Sequence, residues 1–336
     1  MKFGLFGGAR VSDKGPRTDS QGYDTFVDYV LEAESLGFES LFLVEHHFTG
    51  IGQVSSSMSL LAYLAAKTST IRLGTGVVVL PWHNPVLVAE QAATLDLLSN
   101  GRLDFGVGRG YRKAEYESFG IPIEEGQERF DEAIEVIRKS WTSKERFSHH
   151  GKRWHYENII VEPPVRQEPH PPMWLGAVSP EGIRRAAREG YNMLLDQVAS
   201  VAQVGERLRI FREECALVGR SYTPEMVGVT RGLYLAQTPQ ERAAQMARRA
   251  EILGTIGGIR QPDAVACDPE LDDAPLFGSP AEIVDRLRAL ESVGVGYVLA
   301  SDPSGNLDSL RAFAREVMPA MKRGSAAAQP LEAATA

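Results

Sequence analysis

Ile71-Arg72-Leu73-Gly74-Thr75-Gly76-Val77-Val78-Val79-Leu80 is an apolar run, and a helical stretch over Pro85–Leu98 follows it. That stretch stops at Ser99-Asn100-Gly101, and Leu103-Asp104-Phe105-Gly106-Val107 opens a second apolar run. Neither run alternates strictly between apolar and polar residues. Strands in a parallel sheet covered by helices read this way, so the stretch predicts a strand–helix–strand unit. The same beat continues in both directions. Buried strands are predicted over residues 2–6, 40–44, 71–80, 103–107, 173–177, 192–195, 227–235 and 297–300. In the helix predicted over 23–36, Phe26, Val27, Val30 and Leu31 form one stripe, and Gly37 stands where a C′ residue closes a helix. Thr238-Pro239-Gln240-Glu241 and Ser279-Pro280-Ala281-Glu282 are capping boxes with proline at the first helical position. Eight strand–helix alternations predict an α/β chain folded as a closed (β/α)8 TIM barrel, not an open doubly wound sheet.

Two segments leave this beat. Residues 145–172 carry His149, His150, Trp154, His155 and five prolines, and read as an insertion between strands 4 and 5. Residues 255–278, after the seventh helix, hold Gly257-Gly258, Pro262, Asp263 and Asp268-Pro269 and read as a lid. The barrel domain is expected over 1–323, with 324–336 an Ala-rich disordered tail.

The 336 residues are 43% hydrophobic and 24% charged, ample for one large core. A net charge of −8 and a pI near 5.5 argue against nucleic acid or an anionic membrane as partner. Cys215 and Cys267 lie far apart without a CxxC spacing and read as reduced thiols. The first apolar run is too short for a signal-peptide core, and no stretch nears the roughly 20 apolar residues of a membrane helix. A cytoplasmic protein is expected.

Active sites of such barrels lie where strands end and loops begin. After strand 2 comes Glu45-His46-His47-Phe48-Thr49. If strand alternation carries through the pair, one histidine faces the barrel mouth and the other the outside. Either a proton donor or acceptor at the mouth or plain structural histidines fit; no third ligand stands at a matching spacing, so no metal site is expected. After strand 4, Gly108-Arg109-Gly110-Tyr111 would admit a planar or phosphorylated ligand, though a glycine turn with a solvated arginine reads equally well. After strand 5, Gly176-Ala177-Val178-Ser179-Pro180 places a serine cap at a helix start, which is either a simple cap or a phosphate site. Arg129 sits in a first helical turn, where a cation opposes the macrodipole, and this suggests an anion nearby. No Ser-His-Asp order, P-loop, EF-hand loop or GxGxxG fingerprint occurs.

Taken in order, Met1-Lys2-Phe3-Gly4, Glu45-His46-His47-Phe48-Thr49, Leu73-Gly74-Thr75-Gly76, Leu80-Pro81 through Asn84-Pro85, Leu98-Ser99-Asn100-Gly101-Arg102, Arg109-Gly110 and Val317-Met318-Pro319 resemble the bacterial luciferase family of flavin monooxygenases. The resemblance runs over about the first 322 residues. It implies flavin mononucleotide (FMN) bound across the C-terminal face and a homodimer made through the early helices. It places the catalytic histidine, which supports flavin peroxide chemistry, on His46. It places the phosphate contacts on Arg109, Arg129 and Ser179, and a non-proline cis peptide under the flavin ring at Gly76-Val77. The implied cofactor-binding set is Glu45, Gly76, Val77, Gly108, Arg109, Tyr111, Arg129, Gly176, Ala177, Val178 and Ser179. Luciferase has a cysteine where this chain has Gly108 and a glutamate where it has Val178, and residues 255–278 share little with it. These departures point away from light emission and a long-chain aldehyde substrate.

The function so implied is the oxygenase of a two-component system: reduced FMN from a separate NAD(P)H:flavin reductase, oxygen, and a small organic substrate. The missing dinucleotide fingerprint agrees with a separate reductase. The alternative on the same barrel is a deazaflavin-dependent hydride-transfer enzyme. A non-catalytic flavin-binding protein would be expected to lack the mouth histidine, and His46 is present.

Overall fold

The computed structural model describes residues 1–9, 20–50, 53–260 and 272–324. The apolar runs form eight parallel strands: β1 (Lys2–Gly7), β2 (Ser40–Leu43), β3 (Arg72–Thr75), β4 (Leu103–Gly108), β5 (Met173–Gly176), β6 (Asn192–Leu195), β7 (Val227–Leu235) and β8 (Tyr297–Ser301). Each pairs with its successor, and β8 pairs with β1 from Lys2↔Tyr297 to Leu5↔Ala300, so the sheet closes into the expected (β/α)8 barrel. Around it lie α1 (Gln21–Ser35), α2 (Ser57–Lys67), α3 (Pro85–Leu98), α4 (Lys113–Ser118), α5 (Gly126–Thr142), α6 (Pro180–Arg188), α7 (Val201–Leu217), α8 (Pro239–Arg260), α9 (Pro280–Ser292), α10 (Leu307–Ala312) and α11 (Met318–Gly324).

Local chemistry starts these helices as the sequence predicts. Ser279 and Glu282 form a reciprocal capping box at α9. At α8 the Thr238 hydroxyl accepts from the Glu241 N–H at 3.1 Å, but the Glu241 carboxylate reaches the Gln237 N–H, one residue before the cap. Gly37 takes φ +86° just beyond α1, as a C′ residue must.

Two expectations are corrected, on the run 71–80 and on the lid. The run 71–80 is not one strand: β3 ends at Thr75, and Val78–Val79 pairs separately with Val107 and Gly108. Between these pieces the Gly76–Val77 peptide is cis. The insertion before β5 holds an antiparallel hairpin, Phe147–His150 with His155–Ile159, seated on α5 by His149 and Glu132 at 3.3 Å. The proposed lid begins too early, because α8 continues to Arg260 through Gly257-Gly258; a glycine costs a helix about 1 kcal/mol without forbidding it. Leu276–Gly278, at the other end of that segment, is a strand parallel to β7. Residues 261–271, the rest of the lid and Cys267 with it, lie outside the described residues, as does 325–336.

Outward strand side chains and the inner faces of the helices form the large apolar layer, including Leu41, Leu43, Leu61, Leu64, Leu73, Phe105 and Val107. A smaller cluster fills the barrel itself: Phe42, Trp174, Leu194, Tyr297 and Leu299, with Phe6 and Val77 against it. Polar residues at the strand starts close the N-terminal end. Arg72 pairs with Asp104 at 2.7 Å, Trp174 Nε1 donates to Asp104 at 3.1 Å, and the Ser40 and Tyr297 hydroxyls bond each other. Chemistry is therefore left to the opposite, C-terminal end.

The Ser99-Asn100-Gly101-Arg102 turn acquires a physical reason. Arg102 donates to the carbonyls of Ala65, Thr68, Ile71 and Ser99 at 2.7–3.0 Å, tying the ends of α2 and α3 to the start of β3. These include carbonyls that a helix end leaves unsatisfied.

Candidate functional site

The mouth is shaped first by what its backbone lacks. Gly106 abuts β3 so closely that a Cβ would lie 1.8 Å from the Thr75 carbonyl oxygen. The Thr75 hydroxyl donates to the Gly106 carbonyl at 2.6 Å and accepts from its N–H at 2.8 Å, which locks the two strands together. Above this lock, Val77 reaches the ends of β4 and β5. A Cβ on Gly108 would stand 2.7 Å from Val77 Cγ2, and one on Gly176 would meet only Val77 Cγ1, at 3.7 Å. Gly76, Val77, Gly108 and Gly176 thus converge on one flat wall, a cradle that side chains would fill. A planar ring system fits such a wall.

The loop after β2 carries the titratable groups. His46 and His47 both lie beyond the strand, which ends at Leu43, so strand alternation does not direct them. They still part, each to a different carboxylate. His46 Nδ1 is 3.3 Å from Glu115 Oε1, an oxygen that also accepts the His47 backbone N–H at 2.9 Å. The expectation that the second histidine faces outside is corrected: His47 packs inward against Phe119 and Trp82, its Nε2 3.2 Å from Glu45 Oε1. Phe48, next in the chain, takes φ +56° and is 64% exposed, its ring against Phe119.

With the Nδ1 hydrogen given to Glu115, the basic nitrogen of a neutral His46 is Nε2, which has no protein partner among the described residues. Its side chain is 18% exposed. Burial pushes the Glu115 carboxyl up, but hydrogen bonds from His46 and the His47 N–H, with the charges of His46 and Arg112, hold it below the usual range. An ionised carboxylate behind Nδ1 fixes the tautomer and leaves Nε2 as the ring's acceptor.

Sequence reasoning missed Glu115. It lies in the first turn of α4, just after the Arg109-Gly110-Tyr111 turn, and that placement on a mouth loop was the available signal. Glu45, expected in the cofactor-binding set, is held by its neighbours. Its side chain is only 3% exposed and is engaged by His47, by His83 Nε2 at 2.9 Å and by Trp82 Nε1 at 3.1 Å. Burial opposes ionisation of Glu45, yet these donors hold its carboxyl below the usual range. Its carboxylate is thus engaged within the loops that follow β2 and β3.

The expected phosphate residues sit on the loops and helices after β4 and β5. Arg109 is exposed, and its guanidinium has no protein acceptor among the described residues. Its carbonyl accepts from the Tyr116 hydroxyl at 2.5 Å, so α4 props the turn from below. Arg129 lies in the first turn of α5 and is paired with Glu125 at 2.9 Å. Tyr116 lies between the two: burial pushes its hydroxyl up to about 12, and the charges of Arg109 and Arg129 partly oppose this. Ser179 caps α6, its hydroxyl accepting from Gly182 N at 3.2 Å, and α6 is tied to α5 by Arg185 and Asp131 at 2.6 Å. Tyr111 and Val178 are exposed on these turns, while Ala177 is buried. A free guanidinium, a second within reach of release, and a helix N-terminus suit a phosphate monoester.

Comparison with known proteins agrees with this architecture. A model of the luciferase-like monooxygenase family matches residues 1–297. The oxygenase component of a flavin-dependent trigonelline monooxygenase from Acinetobacter baylyi is 30% identical over 349 residues, covering 95% of each chain. An uncharacterized protein of Sinorhizobium fredii is 34% identical over 169 residues, a match spanning about half of either chain. Among solved structures, the monooxygenase RslO1 of Streptomyces bottropensis superposes with a TM-score of 0.83 at 26% identity, covering 95% of this chain and 99% of that one. An F420-dependent secondary alcohol dehydrogenase superposes at 0.77 with 16% identity, over 95% and 98% of the two chains, a likeness of fold alone.

Proposed function

The chain belongs to the luciferase-like monooxygenase family, and on that premise we propose that it is the oxygenase component of a two-component monooxygenase acting on a small organic substrate with reduced FMN and oxygen. Reduced FMN would supply two electrons, so that one atom of O2 enters the substrate and the other leaves as water. The chain's own residues supply the rest. The wall of Gly76, Val77, Gly108 and Gly176 receives the ring. Arg109, Arg129 and the N–H groups that open α6 hold the phosphate. His46 holds and moves a proton at Nε2, with Glu115 holding the ring in place. The observation that carries the reading is this last one: a mouth imidazole with one nitrogen fixed by a buried carboxylate and the other unengaged.

The reductase is a separate protein in this reading, and the site is cytoplasmic; no helix among the described residues is long and apolar enough to cross a membrane. A homodimer through α2 and α3 is part of the same proposal, since Tyr63 on α2 and Leu87, Leu97 and Leu98 on α3 stand exposed. Light scattering after size exclusion reads that directly.

The test supplies purified protein with NADH, free FMN, an unrelated flavin reductase and 18O2, and screens small organic substrates by product mass. Gain of one 18O atom, dependent on the reductase, supports the proposal. A parallel anaerobic arm offers a reduced deazaflavin. Substrate reduction or oxidation there, with no oxygen incorporation in the first arm, would replace it with hydride transfer.

A further inference from the structure

We propose that Glu45, His47 and His83 form a binding site for one zinc-type divalent cation, which ties the loop carrying His46 to the loop after β3. Sequence spacing pairs no third ligand with the Glu45-His46-His47 run. The structure supplies one from a neighbouring strand end, because β2 and β3 are adjacent in the barrel. His83 Nε2 lies 2.9 Å from Glu45 Oε1, His47 Nε2 lies 3.2 Å from the same oxygen, and the ligand atoms of all three residues fall within 4.8 Å of one another.

Two observations favour a cation over a plain hydrogen-bonded hub. The first is stoichiometric. Trp82 Nε1 also approaches Glu45 Oε1, at 3.1 Å, so three nitrogens crowd one carboxylate oxygen. A carboxylate oxygen has only about two acceptor positions. If an ion sits among them, each imidazole presents a lone pair to the metal, and the Trp82 N–H remains as the outer donor that orients the carboxylate. The second is metric. Tetrahedral zinc with ligands about 2.0–2.2 Å away needs ligand–ligand edges of about 3.4 Å. The two edges of 2.9 and 3.2 Å fall a few tenths of an ångström short of that value and the third is no longer than 4.8 Å, so small outward shifts of the two imidazoles admit the ion.

The chemistry selects the metal class. Two imidazoles with one carboxylate suit zinc, cobalt or nickel, not calcium or magnesium, which prefer oxygen. The Glu45 side chain is almost fully buried and needs its charge balanced, whereas His47 and His83 retain 15% and 28% exposure, so an ion can enter and take water as its fourth ligand. His46 is not a ligand; its ring is turned to Glu115. The proposal stands apart from the flavin reading, because its readouts are metal content and spectrum.

The experiment uses the full-length, tag-free protein, stripped with EDTA and titrated with Zn2+ by calorimetry, and separately with Co2+ by visible absorption. One zinc per chain retained through gel filtration, and the intense d–d bands of four-coordinate cobalt, are expected. His83→Gln keeps an amide N–H for Glu45 but loses the imidazole. It should keep the metal-free melting temperature and bind zinc at least about 100-fold more weakly, beyond the range that outer-shell changes usually produce. No zinc retained by the wild-type chain, a cobalt spectrum without those bands, or undiminished binding by His83→Gln would each overturn the site and leave a hydrogen-bonded hub. The cobalt spectrum is read on the wild-type chain, so it decides the matter even where His83→Gln folds poorly.

Discussion

Replacing Arg109 with alanine separates recognition of a phosphate from recognition of a ring. The guanidinium is exposed and has no protein acceptor among the described residues, so its loss breaks no internal ion pair there. Its backbone carbonyl keeps the Tyr116 hydroxyl bond, so the turn should hold its shape. A hydrogen bond from a charged donor to phosphate is worth about 1.5–3 kcal/mol. At about 1.4 kcal/mol per decade, Arg109→Ala should weaken FMN binding roughly tenfold to a hundredfold. Riboflavin, which lacks the phosphate, should bind almost as before. Arg129→Ala gives an internal comparison. Arg129 must first release Glu125, a solvent-screened and therefore weak pair, and Glu125 keeps Arg153 at 3.1 Å afterwards. The net contribution of Arg129 should therefore be smaller than that of Arg109 by up to about fivefold in affinity. Fluorescence titration of both flavins against the wild type and each variant reads these ratios. Equal losses for FMN and riboflavin in Arg109→Ala would refute the phosphate assignment, and a larger loss in Arg129→Ala would refute the ranking.

Other perturbations follow from the same geometry. His46→Ala should lower turnover about 10²–10⁴-fold with FMN affinity and melting temperature near wild type; a drop in both of the latter, with turnover per bound flavin kept, would make His46 structural. Glu115→Gln tests the depressed carboxyl. A folded pKa below the unfolded value of about 4.3 stabilises the fold above that pH and loses the effect as pH falls through the folded value. The variant's melting temperature should accordingly fall less steeply than wild type below about pH 4.3, and parallel curves would contradict the assignment. Arg102→Ala should cost about 2–4 kcal/mol in denaturant unfolding because it leaves four carbonyls without their cation, and Arg102→Lys should recover little, since one ammonium cannot span both helix ends. A loss under about 1 kcal/mol would mean that water replaces those bonds freely.

The barrel was legible because its strands are buried on both faces over most of their length and so read as short, mostly apolar runs, with occasional polar residues such as Asp104 and Arg231 buried among them. Caps such as Ser279 and Ser179 were legible because they are local, within four residues of chain. Errors arose where local signals compete. Glycines at 257–258 argued for a loop, yet α8 runs through them, and through Gly254 before them, to Arg260, since each glycine costs a helix only about 1 kcal/mol. The run 71–80 looked like one long strand, yet it breaks at Gly76–Val77, where the chain leaves β3 to pair higher on β4.

The site was legible only in part, and the reason is geometric. His46, Arg109 and Ser179 each follow a strand end, and a barrel gathers its strand ends on one face, so the residues that follow strands already approximate the mouth. That rule gives position without direction. Alternation fails for His46 and His47 because the strand ends before them, and tertiary partners then decide where each ring points. Glu45 stands two residues before His47, but Glu115 on α4 and His83 after β3 come from other loops, and no spacing in the chain pairs them with the histidines. The division of labour follows from these partners. His47 has its Nε2 on a buried carboxylate and its ring between aromatics, so it is held. His46 is held at one nitrogen alone, and a proton can be exchanged only at the other. Two adjacent histidines of identical chemistry thus acquire different roles from the carboxylates the fold brings to them.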